Sequence, residues 1–271
     1  MTAMNSIQKL LGLAAVSFAS VAGAQDIPNH PALTEKFWFG AGIFFPETNT
    51  QAQLTNKATG VGATVDFEQS MDLERQKNVP VVMGRWRFGE RWRLEAEYFQ
   101  LNRNSERVID RQIEWGDQVF AVNTSVATQF DFSDLRVSVG YSFFKRPDKE
   151  LGVGLGLHVA SYDVSLTGPA GNGEGEDVLA PLPVLSLYGQ FALTNTWAVG
   201  LRLDRFALSY DKFDGSLTSL GLDVLYQPFK HVGFGAGYRA LAIRAEVEGD
   251  RHILKMRQVF QGPMLFMNVS F

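Results

Sequence analysis

The chain has 271 residues, no cysteine, 45% hydrophobic and 12% aromatic residues, and a formal net charge of −4 from 25 basic and 29 acidic side chains. That balance gives no footing for a nucleic-acid partner, the missing cysteines exclude a disulfide scaffold, and a mean hydropathy of −0.06 is too polar for a bundle of membrane helices. A single all-β domain fits the length.

Residues 1–24 place Lys9 ahead of the apolar run LLGLAAVSFASVAGA, which closes on Ala22 and Ala24. This is the layout of a cleaved signal peptide, because the run is shorter than the ~20 residues a membrane helix needs. Export is expected. Residues 25–35 carry two prolines and read as a periplasmic lead-in to a domain over 36–271.

From Lys36 the sequence alternates with a period of two, the signature of strands with unlike faces. Spans near 36–46, 79–88, 92–106, 127–144, 151–166, 179–193, 197–210, 215–227, 231–247 and 253–271 are separated by connections of two kinds. Gly89–Arg91, Lys145–Glu150, Thr194–Thr196 and Gln227–His231 are short; those around Arg107–Gln118, Thr167–Asp177, Asp211–Gly215 and Glu248–His252 are polar and read as loops. Residues 47–78 read as a loop with a hairpin arm or as a further membrane strand. The whole predicts an all-β, closed, antiparallel up-and-down barrel of about ten strands, with eight or twelve as alternatives.

One row of each strand is apolar, as in Leu135, Val137, Val139, Tyr141 and Phe143. The opposite row carries Arg85, Arg87, Arg93, Glu95, Glu97, Arg136, His158, Arg202, Asp204, Asp223 and Arg239, with glycines at 152, 154, 156, 233, 235 and 237. Apolar rows facing lipid avoid the ~2–4 kcal/mol of a mid-bilayer charge. The charged rows are then expected to pair across the lumen, either as a polar core or as a narrow charged conduit.

The last stretch, QGPMLFMNVSF, sets Leu265, Met267, Val269 and Phe271 on one side of a closing strand that ends on an aromatic residue. With the signal peptide and the repeated strands, it resembles the bacterial outer-membrane β-barrels of the small OmpA/OmpW-like type. The resemblance implies a Gram-negative outer-membrane location among lipid and lipopolysaccharide. It also implies that the barrel assembly machinery reads the row ending at Phe271.

Activity is less legible. His158 is the histidine placed well inside a strand on the inward row, and its neighbours Ser161 and Asp163 have the other parity, so no hydrolase triad forms. Glu248, Asp250 and His252 share a loop without the second carboxylate cluster a surface protease or a metal site needs. GNGEGED lacks calcium-ligand spacing. No catalytic residue, metal or cofactor is expected. The functions left open are a structural barrel or narrow pore for small polar solutes, a surface-interaction protein acting through extracellular loops, and a lipid-modifying enzyme.

Overall fold

The computed structural model describes residues 27–271 except 61, 63, 116, 117, 172, 211, 212 and 251. The expected signal peptide lies outside the described residues. In chain order the elements are α1 (Pro31–Thr34), β1 (Phe37–Phe44), β2 (Glu47–Asn56), β3 (Thr64–Asp66), α2 (Phe67–Ser70), β4 (Val79–Phe88), β5 (Trp92–Val108), β6 (Ile113–Trp115) and β7 (Gln118–Phe120). Seven long strands complete the chain: β8 (Ser125–Lys145), β9 (Lys149–Thr167), β10 (Gly173–Ala192), β11 (Trp197–Tyr210), β12 (Phe213–Tyr226), β13 (Val232–Glu248) and β14 (His252–Ser270).

Ten of these strands form a closed antiparallel ring in the order β1-β4-β5-β8-β9-β10-β11-β12-β13-β14, sealed by β1 against β14 from Trp38↔Ser270 to Phe44↔Met264. Phe37 and Phe271 exchange backbone hydrogen bonds of 2.8 and 3.0 Å at the seal's lower end. After Pro46 the chain continues as β2, which pairs with the upper half of β14 from Gln261 to His252 and carries β3 on its far edge. Residues 47–78 are therefore an attachment to the ring and add no strand to it.

Several expected loops are instead strand. β9 and β10 remain paired up to Thr167↔Gly173, and β11 and β12 up to Tyr210↔Phe213, whereas the connection at Glu248–His252 is the short hairpin expected. The polar, glycine-rich composition that suggested loops belongs to hairpins standing in water.

That change of surroundings is written in the side chains without any change of parity. On β8, Leu135, Val137, Val139, Tyr141 and Phe143 point outward and are exposed, while Arg136, Ser138 and Ser142 are buried inside. Above Asp134 the polarity inverts: Val126, Phe130 and Phe132 are buried inside, and Gln129, Asp131 and Ser133 take the outward row. From Leu135 to Phe143 the apolar row runs about 27 Å along the strand, or roughly 21 Å of height at a ~40° tilt, close to the ~25 Å band of a membrane barrel. Above it the barrel is an ordinary water-soluble sheet with a greasy inside.

The expectation of a charged inner face along the whole strand thus holds only for the lower half. The upper interior packs Phe44, Phe99, Phe130, Phe132, Tyr162 and Phe260, with Phe132 and Phe260 stacked at 4.6 Å. Val65, Phe67, Met71 and Leu73 from the 47–78 segment, and Ile113, Trp115 and Phe120 from the β6–β7 hairpin, belong to the same core. A buried ion pair, Arg103 to Glu68 at 2.6 Å, ties α2 to β5 there, with Glu68 also accepting from Thr50 N at 2.8 Å.

The seam between β10 and β11 is incomplete. β10 and β11 pair only between Leu185↔Arg205 and Ala192↔Ala198, and the part of β10 above Leu185 ladders with β9 alone. Ala192 N donates toward β9 (Asp148 O) and Leu193 N toward β11 (Trp197 O). With unbroken registers, that alternation turns the nitrogens of Pro181 and Pro183 toward β11, where proline has no N–H to give. The ladder stops directly below them. Replacing both prolines with valine is expected to extend the β10–β11 ladder upward and to slow amide exchange at Ala207 by about tenfold or more, read by hydrogen exchange.

Candidate functional site

Small side chains decide what the lower interior can hold. A Cβ on Gly152 would lie 2.2 Å from the Tyr188 ring, and one on Gly140 2.6 Å from it. Gly235 leaves the same room for Phe266, at 2.0 Å. The alternating glycines were expected to make space for long charged side chains, and much of that space is taken by aromatic rings. Arg93 then lies on the Tyr188 ring, 3.1 Å from its centroid.

The sequence-selected lumen residues meet in one connected cluster. Glu150 accepts from Arg87 (2.8 Å) and lies 3.9 Å from Arg93; Arg93 reaches Glu95 (3.4 Å), and Glu95 reaches Arg136 (3.7 Å). Arg136 donates to Asp204 (2.9 Å), which also forms an ion pair with Arg202 (3.3 Å); Arg202 donates to Glu97 (3.1 Å), and Arg239 links Glu97 (3.4 Å) to Asp223 (2.8 Å). Arg85 stands apart from the carboxylates and donates to Gln190 Oε1 (2.9 Å) and Ala32 O (2.6 Å). His158 sits at the top of the cluster with Nδ1 2.9 Å from Asp134 and Nε2 3.7 Å from Asp204.

Two members, Asp134 and Glu150, escaped the sequence reading. Parity alone finds them, since Asp134 shares a row with Arg136 and Glu150 with Gly152. With them the cluster holds six arginines (85, 87, 93, 136, 202, 239) and six carboxylates (95, 97, 134, 150, 204, 223), so its charges cancel apart from His158. A balanced, buried set of this kind satisfies itself without a mobile counter-ion. Voids of about 70 Å³ beside Arg85, Glu97 and Arg202, and about 20 Å³ beside His158, have room for a few waters.

The lead-in residues close the lower mouth. His30 caps α1, with its Nδ1 accepting from Ala32 N at 3.1 Å, and His30, Ala32 and Leu33 are buried. Arg85 and Arg87 converge on the Ala32 carbonyl at 2.6 and 3.0 Å. Burial, aided by the nearby positive Arg85, holds the His30 imidazole below its usual pKa. The released segment therefore binds a proton more readily than the docked one, so docking is favoured at high pH and weakens as pH falls below about 6.5. Protease cleavage ahead of β1 is expected to accelerate between pH 7 and about pH 5, and His30→Asn to flatten that dependence.

The catalytic candidates separate. His158 Nε2 faces the Asp204 carboxylate and no nucleophilic hydroxyl, while Ser161 and Asp163 lie on the outward row of β9. Glu248 pairs with Lys57 at 2.5 Å on the upper surface. Among the described residues no group of three or more His, Asp or Glu side chains is placed to hold a metal ion.

At the closing strand Leu265, Met267, Val269 and Phe271 are exposed on the outer wall, and the Phe271 ring packs on Phe37 and Phe39 at 5.8 and 6.1 Å. Trp86, Trp92, Trp197 and Tyr226 stand exposed near the same lower edge. An aromatic girdle below an aliphatic belt on a sealed ten-stranded ring is how a barrel sits in lipid.

No family model matches the chain, and no curated protein does. Among solved structures, the outer-membrane protease OmpT of Escherichia coli aligns with a TM-score of 0.56 at 10% identity, covering 86% of this chain and 97% of that one. The fold is that of the bacterial outer-membrane β-barrels. OprG of Pseudomonas aeruginosa aligns over 91% of this chain and 99% of its own at 11% identity with a TM-score of 0.45. Neisserial surface protein A aligns over 87% and 97% at 14% and 0.32. The barrel's aliphatic belt and girdle agree with an outer-membrane location.

Proposed function

We propose that this barrel is a closed, non-enzymatic scaffold whose working part is the extracellular head formed by the upper halves of its strands with residues 47–78 and the β6–β7 hairpin. The observation that carries this is an interior occupied at three levels: α1 at the periplasmic mouth, the balanced charge cluster within the membrane, and the aromatic core above it. This filling supports a scaffold over a narrow pore for polar solutes. Burial of His158 beside two aspartates weighs against a hydrolytic site in the lumen. The exposed row ending at Phe271 is the segment we assign to recognition by the assembly machinery.

A head held by the Arg103–Glu68 pair and an aromatic core presents a fixed surface, as a surface-interaction protein requires. Proteoliposomes carrying the barrel are expected to swell in small sugars and amino acids no faster than empty ones. Swelling that falls with solute size would replace the scaffold with a pore.

A further inference from the structure

Above Leu185 the seam exposes a sheet edge. β11 ends at Tyr210, five residues beyond Arg205, and so reaches only the height of Ala180 on β10. β10 runs on to Gly173, paired with β9 throughout and with no strand on its other side among the described residues. Odd-numbered residues of β10 turn their amides to that side, as Leu193 N does toward Trp197 O. Pro181 and Pro183 have no N–H to offer there, and they blunt the part of the edge nearest the membrane. Gly175, Asp177 and Leu179 above them keep theirs. Roughly 20 Å of strand from Leu179 to Gly173 thus presents an unused ladder of donors and carbonyls.

The wall beside this edge is acidic. Asp131, Asp163 and Asp177 are register partners across β8, β9 and β10, so three carboxylates stand side by side on the outward face. Like charges directly opposite are destabilising. Partial burial, with the Asp177 and Asp131 charges, holds the Asp163 carboxyl above its ordinary pKa. Gln129 donates to Asp131 at 2.9 Å, whereas among the described residues Asp163 and Asp177 have no hydrogen-bond or ion-pair partner. One row nearer the membrane, Leu179 is 68% exposed in register with Ser161, itself in register with Ser133. An apolar side chain therefore stands in a polar row at the edge itself.

We infer that the β10 edge binds an extended segment of another protein, added as a strand, with a basic side chain opposite Asp177 and an apolar one opposite Leu179. Strand addition takes its affinity from the backbone ladder and its choice of sequence from alternate side chains, and the alternate outward positions here are one acid and one leucine. In an antiparallel match the apolar residue precedes the basic one by two positions. A second copy of the chain does not fit, because two barrels in one membrane tilt their strands with the same hand and bring facing walls together crossed at roughly twice the ~40° tilt. The inference rests on the reading of the head as the working part.

The test is fluorescence anisotropy of a labelled peptide, Val-Thr-Lys-Thr-Val-Thr-Lys, titrated with the full-length barrel in lipid nanodiscs. Binding that weakens as salt is raised is expected. Leu179→Pro removes one edge N–H and leaves the β9 ladder intact; it and Asp163→Asn/Asp177→Asn are each expected to weaken binding about tenfold or more, with heat-modifiable gel migration unchanged. The peptide N-methylated at its valines and lysines, whose amides face β10 in this register, should not bind wild type, a loss that no misfolding of the barrel can cause. Equal binding of the methylated and plain peptides would overturn strand addition, since attraction to a charged wall needs no ladder. Absence of binding to wild type would overturn the site, and self-association of the barrel that Leu179→Pro abolishes would replace the peptide with a second copy. Swelling of proteoliposomes bears on the closed lumen and on none of these results.

Discussion

Replacing Asp204 with alanine is expected to destabilise the barrel by about 3–5 kcal/mol, the cost of removing one partner from a buried ion pair. Asp204 is fully buried, accepts from Arg136 Nε at 2.9 Å and Ser186 Oγ at 2.5 Å, and forms an ion pair with Arg202 at 3.3 Å. No other carboxylate meets both arginines as closely: Glu95 is 3.7 Å from Arg136, and Glu97 is already shared by Arg202 and Arg239. The variant leaves a net positive charge in a lumen whose walls are lipid-coated. Urea unfolding in lipid vesicles, followed by tryptophan fluorescence, measures the effect. A loss below about 1 kcal/mol would mean that water reaches these groups freely, as it does at surface pairs.

The second large effect is expected at the ring's seal. A Cβ on Gly42 would come 2.1 Å from the Leu265 carbonyl oxygen and 2.7 Å from Phe266 Cα, both backbone atoms of the strand that closes the barrel. Gly42 and Phe266 are register partners there, so relief requires the seam itself to part. Gly42→Val is expected to cost at least about 3 kcal/mol, beyond ordinary overpacking because no flexible side chain is available to move. Refolding yield into vesicles, read by heat-modifiable migration, should collapse. Gly84→Ala is the control, because its Cβ would meet only the Phe39 ring at 3.5 Å, an ordinary contact.

The ring was legible in the sequence because a membrane barrel imposes one rule on every strand. Rows such as Leu135 to Phe143 must be apolar, and the period of two then hands the intervening residues to the lumen. Strand spans and the pairing of Phe271 with the first strand follow from that rule. It ceases at the membrane surface, and so did the reading. Above Asp134 the outside of β8 becomes Ser133 and Asp131 while the inside becomes Phe132 and Phe130; alternation still marked that stretch as strand, but the Gly- and Glu-rich start of β10 at Gly173 carries no apolar row and read as loop.

Residues 47–78 were ambiguous for a different reason. β2 pairs with β14 beyond Pro46 and lies outside the ring, a placement set by long-range register that leaves no local mark. The docking of α1 was similarly hidden, since its two buried apolar residues, Ala32 and Leu33, lie in a stretch with two prolines. In the charge cluster most members could be named from parity, but which arginine meets which carboxylate depends on strands far apart in the chain. Arg136 and Asp204 are separated by 68 positions, and Arg239 and Glu97 by 142.

A tube filled from the α1 plug to the aromatic core conducts no ions, and single-channel recording in planar bilayers tests this most directly. The purified barrel, shown to be inserted by protease protection, should give no discrete current steps at either polarity. Reproducible steps whose size depends on the permeant ion would show an open path past Arg136 and Asp204 and would contradict the account.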